Sequence, residues 1–411
     1  MQPGAPSLPL AAARERPWLF AFLIAPTAVI AIGLVDGALS YLLRRQGIDP
    51  ARGSQIVALL TLPHTIYFLW CPVADFWMRR RTWILVASAA AAALLALAFH
   101  QPSLASPWAI RLILAGFCLS LLAAASTGGL MGSLASERNR RAAGSFYQVG
   151  SLVFAALAVF ALVSLVGRFP LGVLGWFLAA MIFLPALFAF AAPAGDAPSD
   201  QTLRTTAARI LREFRLTFLR WDAIPYTLLI VMPMCSGAMI GLLPALAADF
   251  GVSGAQVAWM NGLAGALLTA AGSFSVTWIP VRIRAPIAFL LAGLANAAAL
   301  AILALGPQRP AVYFTGTVLY LFTIGVCYAL FTGVVLEFLG GSGKSGGARY
   351  AIINSLGNLP VAYMSYVDGR GYAHWGARGM PGIDAALSAV VASLLLVYFL
   401  VRRAPQPIAV Q

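Results

Sequence analysis

Twelve long apolar runs fill this chain, and no water-surrounded core buries so many of them side by side. A helix rising 1.5 Å per residue needs about 20 residues to cross a hydrocarbon layer of about 30 Å. The runs lie near 18 to 43, 53 to 74, 82 to 99, 108 to 134, 143 to 166, 171 to 192, 223 to 248, 254 to 279, 286 to 306, 311 to 338, 349 to 372 and 384 to 401. Hydrophobic residues make up 61% of the chain and charged ones 10%, which excludes an ordinary soluble domain. In lipid each backbone polar group must be satisfied internally, so the expected fold is all-α, a polytopic membrane protein. The first run follows Arg14 and Arg16 as a signal core would, but at about 26 residues without a small-x-small cleavage site it reads as an uncleaved span.

The basic residues orient the runs. With the N-terminus inside, 19 of the 27 Lys and Arg residues fall on the cytoplasmic side and 8 on the other. Both termini are therefore expected in the cytoplasm of a bacterial-type inner membrane. The formal charge of +14 is met by this topology and by anionic lipid, and no nucleic-acid partner is expected. Cys71, Cys118, Cys235 and Cys327 lie in or beside apolar runs with no paired spacing, so neither a disulfide framework nor a metal site is expected, and no cofactor.

The longest loop divides the runs into six and six. The expected units are an N-terminal tail (1–17), a six-helix bundle (18–192), a cytoplasmic linker (193–222), a second six-helix bundle (223–403) and a C-terminal tail (404–411). From Thr202 to Trp221 the linker carries apolar residues on one side and Arg204, Arg212 and Arg215 on the other, the pattern of a helix lying on the inner leaflet. An offset of 208 residues relates Trp70 and Pro72 to Trp278 and Pro280, and Arg141 to Arg349, as two pseudo-symmetric halves would.

A knot of charge joins the second and third runs, from Trp70 to Trp83. Asp75 and Arg79 stand four apart, so a continuing helix would pair them, and Arg79, Arg80 and Arg81 form a basic cluster. Since Asp75 adds nothing to the positive-inside signal, it reads as one part of a charge lock. Its counterpart in the second half, Pro280 to Arg284, has no acid.

The span pattern, the basic central loop and the Asp75, Arg79 and Arg80 positions resemble the major facilitator superfamily of secondary transporters. Cys71, Phe76 and Met78 replace other residues of that family's loop motif. Leu69-Trp70-Cys71-Pro72-Val73-Ala74-Asp75, followed by Arg79-Arg80-Arg81-Thr82-Trp83, is similar to the branch of AmpG-type muropeptide permeases and acetyl-CoA transporters. The length is similar to compact permeases for ferric siderophores of the pyochelin and rhizobactin kind. These resemblances imply a monomeric, proton-driven importer of a small organic solute, a siderophore first, with a muropeptide or acyl-CoA-type solute as the alternative. They also imply that spans one, four, seven and ten line the cavity, which brings in Ser126, Thr127, Tyr226, Met234, Tyr320 and Tyr328.

A charge near mid-bilayer costs about 2.5 to 3.5 kcal/mol, so each asks for a reason. Asp36 lies inside the first run with Gly33, Gly37 and Ser40 on its side; it reads as a proton-coupling or solute-binding group, or as a partner for Arg44. His64, after Pro63 and a turn before Tyr67, reads as a proton relay or solute contact, or as an imidazole bonded to a carbonyl that the proline frees. The eleventh run sets Tyr350, Asn354, Asn358, Ser365 and Asp368 near one stripe, which must face protein or water; Tyr363 and Tyr366 flank it. Asp368 and Arg370 are read as an outer gate. Glu337 is read as an inner gate with Lys344 or Arg349, and Asp249 as interfacial.

Two other classes remain at this stage. A membrane enzyme needs a nucleophile or an acid-base pair near an interface, yet the chain has three His and no HExxH, and its GxSxG and GxGxxG spellings fall together in the glycine-rich stretch Gly341 to Gly347, between two apolar spans rather than after a soluble strand. Gly340 to Gly347 contains Gly-Lys-Ser without the spacing of a phosphate loop. A transporter-derived sensor that does not cycle is the other.

Overall fold

Prolines open several of these helices because a first-turn residue has no use for the amide hydrogen that proline lacks. The computed structural model of the protein describes residues 16–132, 134, 137–192, 202–278, 283–339 and 352–401. These residues are overwhelmingly helical, with one isolated bridge between Val166 and Phe169 and no strand among them.

The first half comprises α1 (Pro17–Arg45), α2 (Pro50–Thr65), α3 (Arg80–Phe99), α4 (Pro107–Gly132), α5 (Glu137–Leu165) and α6 (Leu171–Ala191). The linker helix α7 (Leu203–Phe218) follows. The second half comprises α8 (Ile224–Val231), α9 (Ala238–Phe250), α10 (Gly254–Trp278), α11 (Ala285–Leu305), α12 (Pro310–Leu339), α13 (Leu359–Trp375) and α14 (Gly379–Val401). Among the described residues nine helices are long and apolar enough to cross a membrane, or ten when the bent α2 pair counts as one span. The other expected runs are not single straight spans. One is divided between α8 and α9, and the last two are separated by the turn at Gly376–Arg378.

Interruptions of three kinds depart from straight α-helical spans. Pro63 sits inside α2, the helix stops at Thr65, and the short continuation Tyr67–Asp75 leaves at an angle of 43°. The seventh run breaks over residues 232–237, where Pro233 has no amide to donate and Cys235 and Gly237 take positive φ of 55° and 82°. Residues 28–38 of α1 and 258–264 of α10 are π-helical, which widens the turn by one residue.

Buried side chains show how the halves join. The largest cluster crosses between them, with Leu34, Leu39 and Leu43 of α1 packed in one body with Leu242, Leu246 and Phe250 of α9. Toward the opposite end of the bundle the cores separate. Leu19, Phe20, Leu130 and Ala186 form one cluster in the first half, and Leu229, Phe289, Leu330 and Phe399 form another in the second. The two halves thus share a core at one end and keep separate cores at the other.

The linker helix is packed on protein. Phe214 stacks with Phe68 of the first half at 6.4 Å, and Phe218 meets Phe338 of the second at 6.2 Å, while Thr206 and Thr217 are buried. It therefore touches both halves, while Leu211, Leu216 and Leu219 of its apolar side stay exposed.

Candidate functional site

The joined end of the bundle is fastened by charge. Arg44, at the end of α1, donates to Asp249 Oδ1 at 2.7 Å and Oδ2 at 3.1 Å and to the Tyr372 hydroxyl at 2.9 Å. That hydroxyl in turn lies 3.3 Å from Asp249 Oδ2. One residue of the first half is thus held by two of the second. Arg44 was considered as a partner for Asp36; instead Asp249 holds it.

Close backbone approaches continue this seam. Ser40 Oγ donates to the Gly241 carbonyl, and a Cβ at Gly241 would come within 2.7 Å of the Asp36 carbonyl oxygen. A Cβ at Gly369 of α13 would overlap Ser54 of α2. Further along, Ser355 Oγ donates to the carbonyls of His64 at 3.2 Å and Thr65 at 2.9 Å, the acceptors that the α2 break leaves without helical partners. The imidazole itself rests between the Tyr67 and Phe117 rings, each 6.0 Å away.

Beyond the seam lies a cavity of about 190 Å³, lined by Met232, Met234, Cys235, Tyr328, Asn354 and Asn358 among others. Broken backbone surrounds it. The 232–237 break supplies one wall, and the turn at Gly357 and Asn358 supplies another. Tyr363 Oη satisfies the freed Val231 carbonyl at 2.8 Å. Irregular backbone at membrane depth is tolerated where it is buried in protein or lines a cavity, and here it does both. Asp36 sits at this level in the π-helical part of α1; its Oδ1 is enclosed and has no hydrogen-bond partner among the described residues. It lies near enough to Tyr328 to act on it electrostatically.

The other candidates fall elsewhere. Ser126 and Thr127 are fully buried in the first half, and Thr127 donates to the Ala123 carbonyl at 2.8 Å. Tyr320 is buried inside the second half. Tyr226 donates to Glu337 at 2.7 Å, and Arg284 reaches the same carboxylate at 3.3 Å. Glu337 therefore has partners on α8 and before α11, while Lys344 and Arg349 lie outside the described residues. Asp368 is fully buried, and neither of its oxygens has a partner among the described residues, so the gate expected with the exposed Arg370 is not formed.

The Trp70–Trp83 knot is built differently from its expectation. The chain leaves helix at Phe76, Trp77 takes φ +63°, and α3 starts at Arg80. The pair is therefore Asp75 with Arg80, at 2.7 Å, and Arg79 is not Asp75's partner because the helix that would align them ends first. Trp83 Nε1 donates to the Phe76 carbonyl at 2.9 Å and holds the loop. Arg80 lies over Gly129 of α4, where any side chain would strike its guanidinium. Arg81 is partly buried without a described ion pair.

Arg44, Asp249 and Tyr372 are the important residues that sequence reasoning missed as a set. The available signal was that opposite charges end the first and seventh runs, 205 residues apart.

No protein-family model and no curated protein sequence matches the chain. Solved structures match along almost all of it. A variant of the nucleoside transporter NupG aligns with a TM-score of 0.71 at 14% identity, covering 93% of this chain and 98% of that one. A POT family transporter in complex with a thioalcohol-conjugated peptide aligns at 0.67 and 11% identity, covering 93% and 96%. A D-xylose-proton symporter aligns at 0.64 and 16% identity, covering 92% and 95%. The chain shares its fold with these transporters.

Proposed function

We propose that the chain is a secondary transporter that moves a small organic solute by alternating access, driven by protons. The observation that carries this reading is the asymmetry of the bundle. A shared apolar core, one ion cluster and close glycine contacts join the halves at one end, the cores part at the other, and broken helices of the second half enclose a cavity. Joining at one end with separate cores at the other is the arrangement that rocking of two halves about a central site requires. Structures that share the fold include a nucleoside transporter, a peptide-type transporter and a proton symporter, which agrees with transport.

Asp36 is the proposed coupling group. It is the acid at cavity level on the first half, with an oxygen that no described residue satisfies. Tyr328, Asn354, Asn358 and Met234 are the proposed solute contacts, and His64 with Tyr67 extends the site into the first half. Asp75 with Arg80, and Glu337 with Arg284, are proposed to lock the end opposite Arg44. The cavity, at about 190 Å³, is below the range of roughly 300 to 1,000 Å³ for ligand pockets, so a large solute requires the halves to part. A siderophore is the first solute class because the length resembles compact siderophore permeases, and the basic-residue count favours both termini in the cytoplasm of a bacterial inner membrane; muropeptide and acyl-CoA-type solutes, which the 69–83 motif brings in, are the other arms of the test.

A thermal-shift screen of the purified chain with ferric siderophores, muropeptide fragments and acyl-CoA identifies the class. In proteoliposomes, Asp36→Asn is expected to abolish accumulation driven by a pH gradient while solute binding persists. Unchanged accumulation removes Asp36 from coupling.

A further inference from the structure

Inside the second half two acids, Asp368 and Asp384, stand on adjacent antiparallel helices, with Asp384 in electrostatic reach of Cys235 in the cavity lining. The register is set by glycine: a Cβ at Gly371 of α13 would come within 2.6 Å of the Gly379 carbonyl of α14, and within 2.8 Å of Ile383. One turn further from that contact Asp368 faces the level of Asp384, and the two carboxylates act on each other electrostatically. Asp368 has no exposed surface and Asp384 is 3% exposed. Neither makes a salt bridge among the described residues.

The oxygens around them are unsatisfied in a particular way. Asp384 Oδ1 accepts from Ser388 Oγ at 2.9 Å. Both Asp368 oxygens and Ser365 Oγ, one turn before Asp368 on the same face, are enclosed and have no hydrogen-bond partner among the described residues. Leaving a buried polar group unmet is costly, and a buried carboxylate more so. One proton satisfies one oxygen and leaves the rest as they are. A metal ion draws several oxygens at once, and carboxylates with hydroxyls are the donors that hard cations select.

We infer that Asp368, Asp384, Ser365 and Ser388 form a binding site for a hard metal cation, sodium or calcium, within the second half. The site is distinct from the proposed coupling acid Asp36, which belongs to the other half. It does not depend on the transport reading, because cation binding is measured on the protein at rest.

The test uses the full-length chain in detergent, prepared with chelator in choline chloride. Thermal unfolding is followed while sodium chloride or calcium chloride replaces choline at constant ionic strength. A ligand that binds only the folded state at many times its Kd raises the midpoint, here by about 3 to 5 °C. The rise is expected with one of the two cations and is expected to be lost in both Asp368→Asn and Asp384→Asn. Ser365→Ala, which leaves the acids in place, is expected to weaken it. Calorimetric titration of the unaltered protein gives the same answer if either Asn variant fails to fold. Sodium response and calcium response separate the two ions. No midpoint shift beyond choline with either cation, together with no calorimetric heat, overturns the site. So does a shift that survives in both Asn variants.

Discussion

Arg44 at the end of α1 and Asp249 at the end of the seventh run form a two-pronged ion pair, at 2.7 and 3.1 Å, that ties one half of the protein to the other. Both side chains are about one-fifth exposed, so the pair lies between a surface bridge and a buried one. Its removal is expected to cost the joined state roughly 1 to 2 kcal/mol. That changes the ratio of states by about 5 to 30-fold. A cysteine placed at Ser40, beneath the pair, is expected to react with thiol reagents correspondingly faster in Arg44→Ala. Exchanging the charges, Arg44→Asp with Asp249→Arg, is expected to slow it again. Equal labelling rates in all three proteins would detach the ion pair from the seam.

Gly241 carries a second prediction, because here a missing side chain makes the contact. Its Cα lies against the Asp36 backbone, which cannot move aside as a flexible side chain can. Gly241→Val is expected to keep the halves apart at this end and to arrest transport without unfolding the protein. Circular dichroism and thiol access at Ser40→Cys read the two effects separately.

The loop after α2 yields a ranking. Asp75 pairs with Arg80, so Asp75→Asn and Arg80→Gln are expected to change transport alike, whereas Arg79→Gln is expected to change it less. Asp75 is nearly half exposed, and the pair's contribution to stability is expected to stay within about 1 kcal/mol. Transport rates in proteoliposomes with matched thermal midpoints distinguish a conformational lock from a fold defect.

Gly237 supports the broken helix. Its φ of 82° belongs to the left-handed region, and the Tyr328 hydroxyl occupies the space a Cβ would take. Gly237→Ala is expected to cost about 1 to 2 kcal/mol for the backbone alone. Tyr328→Phe in that background is expected to relieve the contact but not the backbone cost, which chemical unfolding of both variants measures.

The membrane class and the helical fold were legible because apolar run length is a direct physical requirement of a bilayer. Asp36 and the Asn354–Asn358 pair stood out for the same reason, since polarity inside a span needs explanation. Breaks were less legible. Pro63 signalled the bend in α2, but the positive φ of Cys235 and the π-helical turns of α1 arise from packing between helices and leave no local pattern. Partners were least legible of all. Asp75 chose Arg80 over Arg79 because one extended residue at Phe76 ended the helix, and Arg44 chose an acid 205 residues away. Asp384 was passed over because it stands near the end of its run, where a charge looks interfacial, yet it is buried.

The central claim is that the two ends of the bundle open in opposition. Electron-electron distance measurements test it directly, with spin labels at Arg52 and Arg309 across the joined end and at Trp77 and Ile283 across the other, in a background freed of native cysteines. All four positions are exposed. Arg44→Ala is expected to lengthen the 52 to 309 distance by several ångströms and to shorten the 77 to 283 distance in the same sample. Two distances that stay fixed, or that lengthen together, would contradict alternating access in this protein.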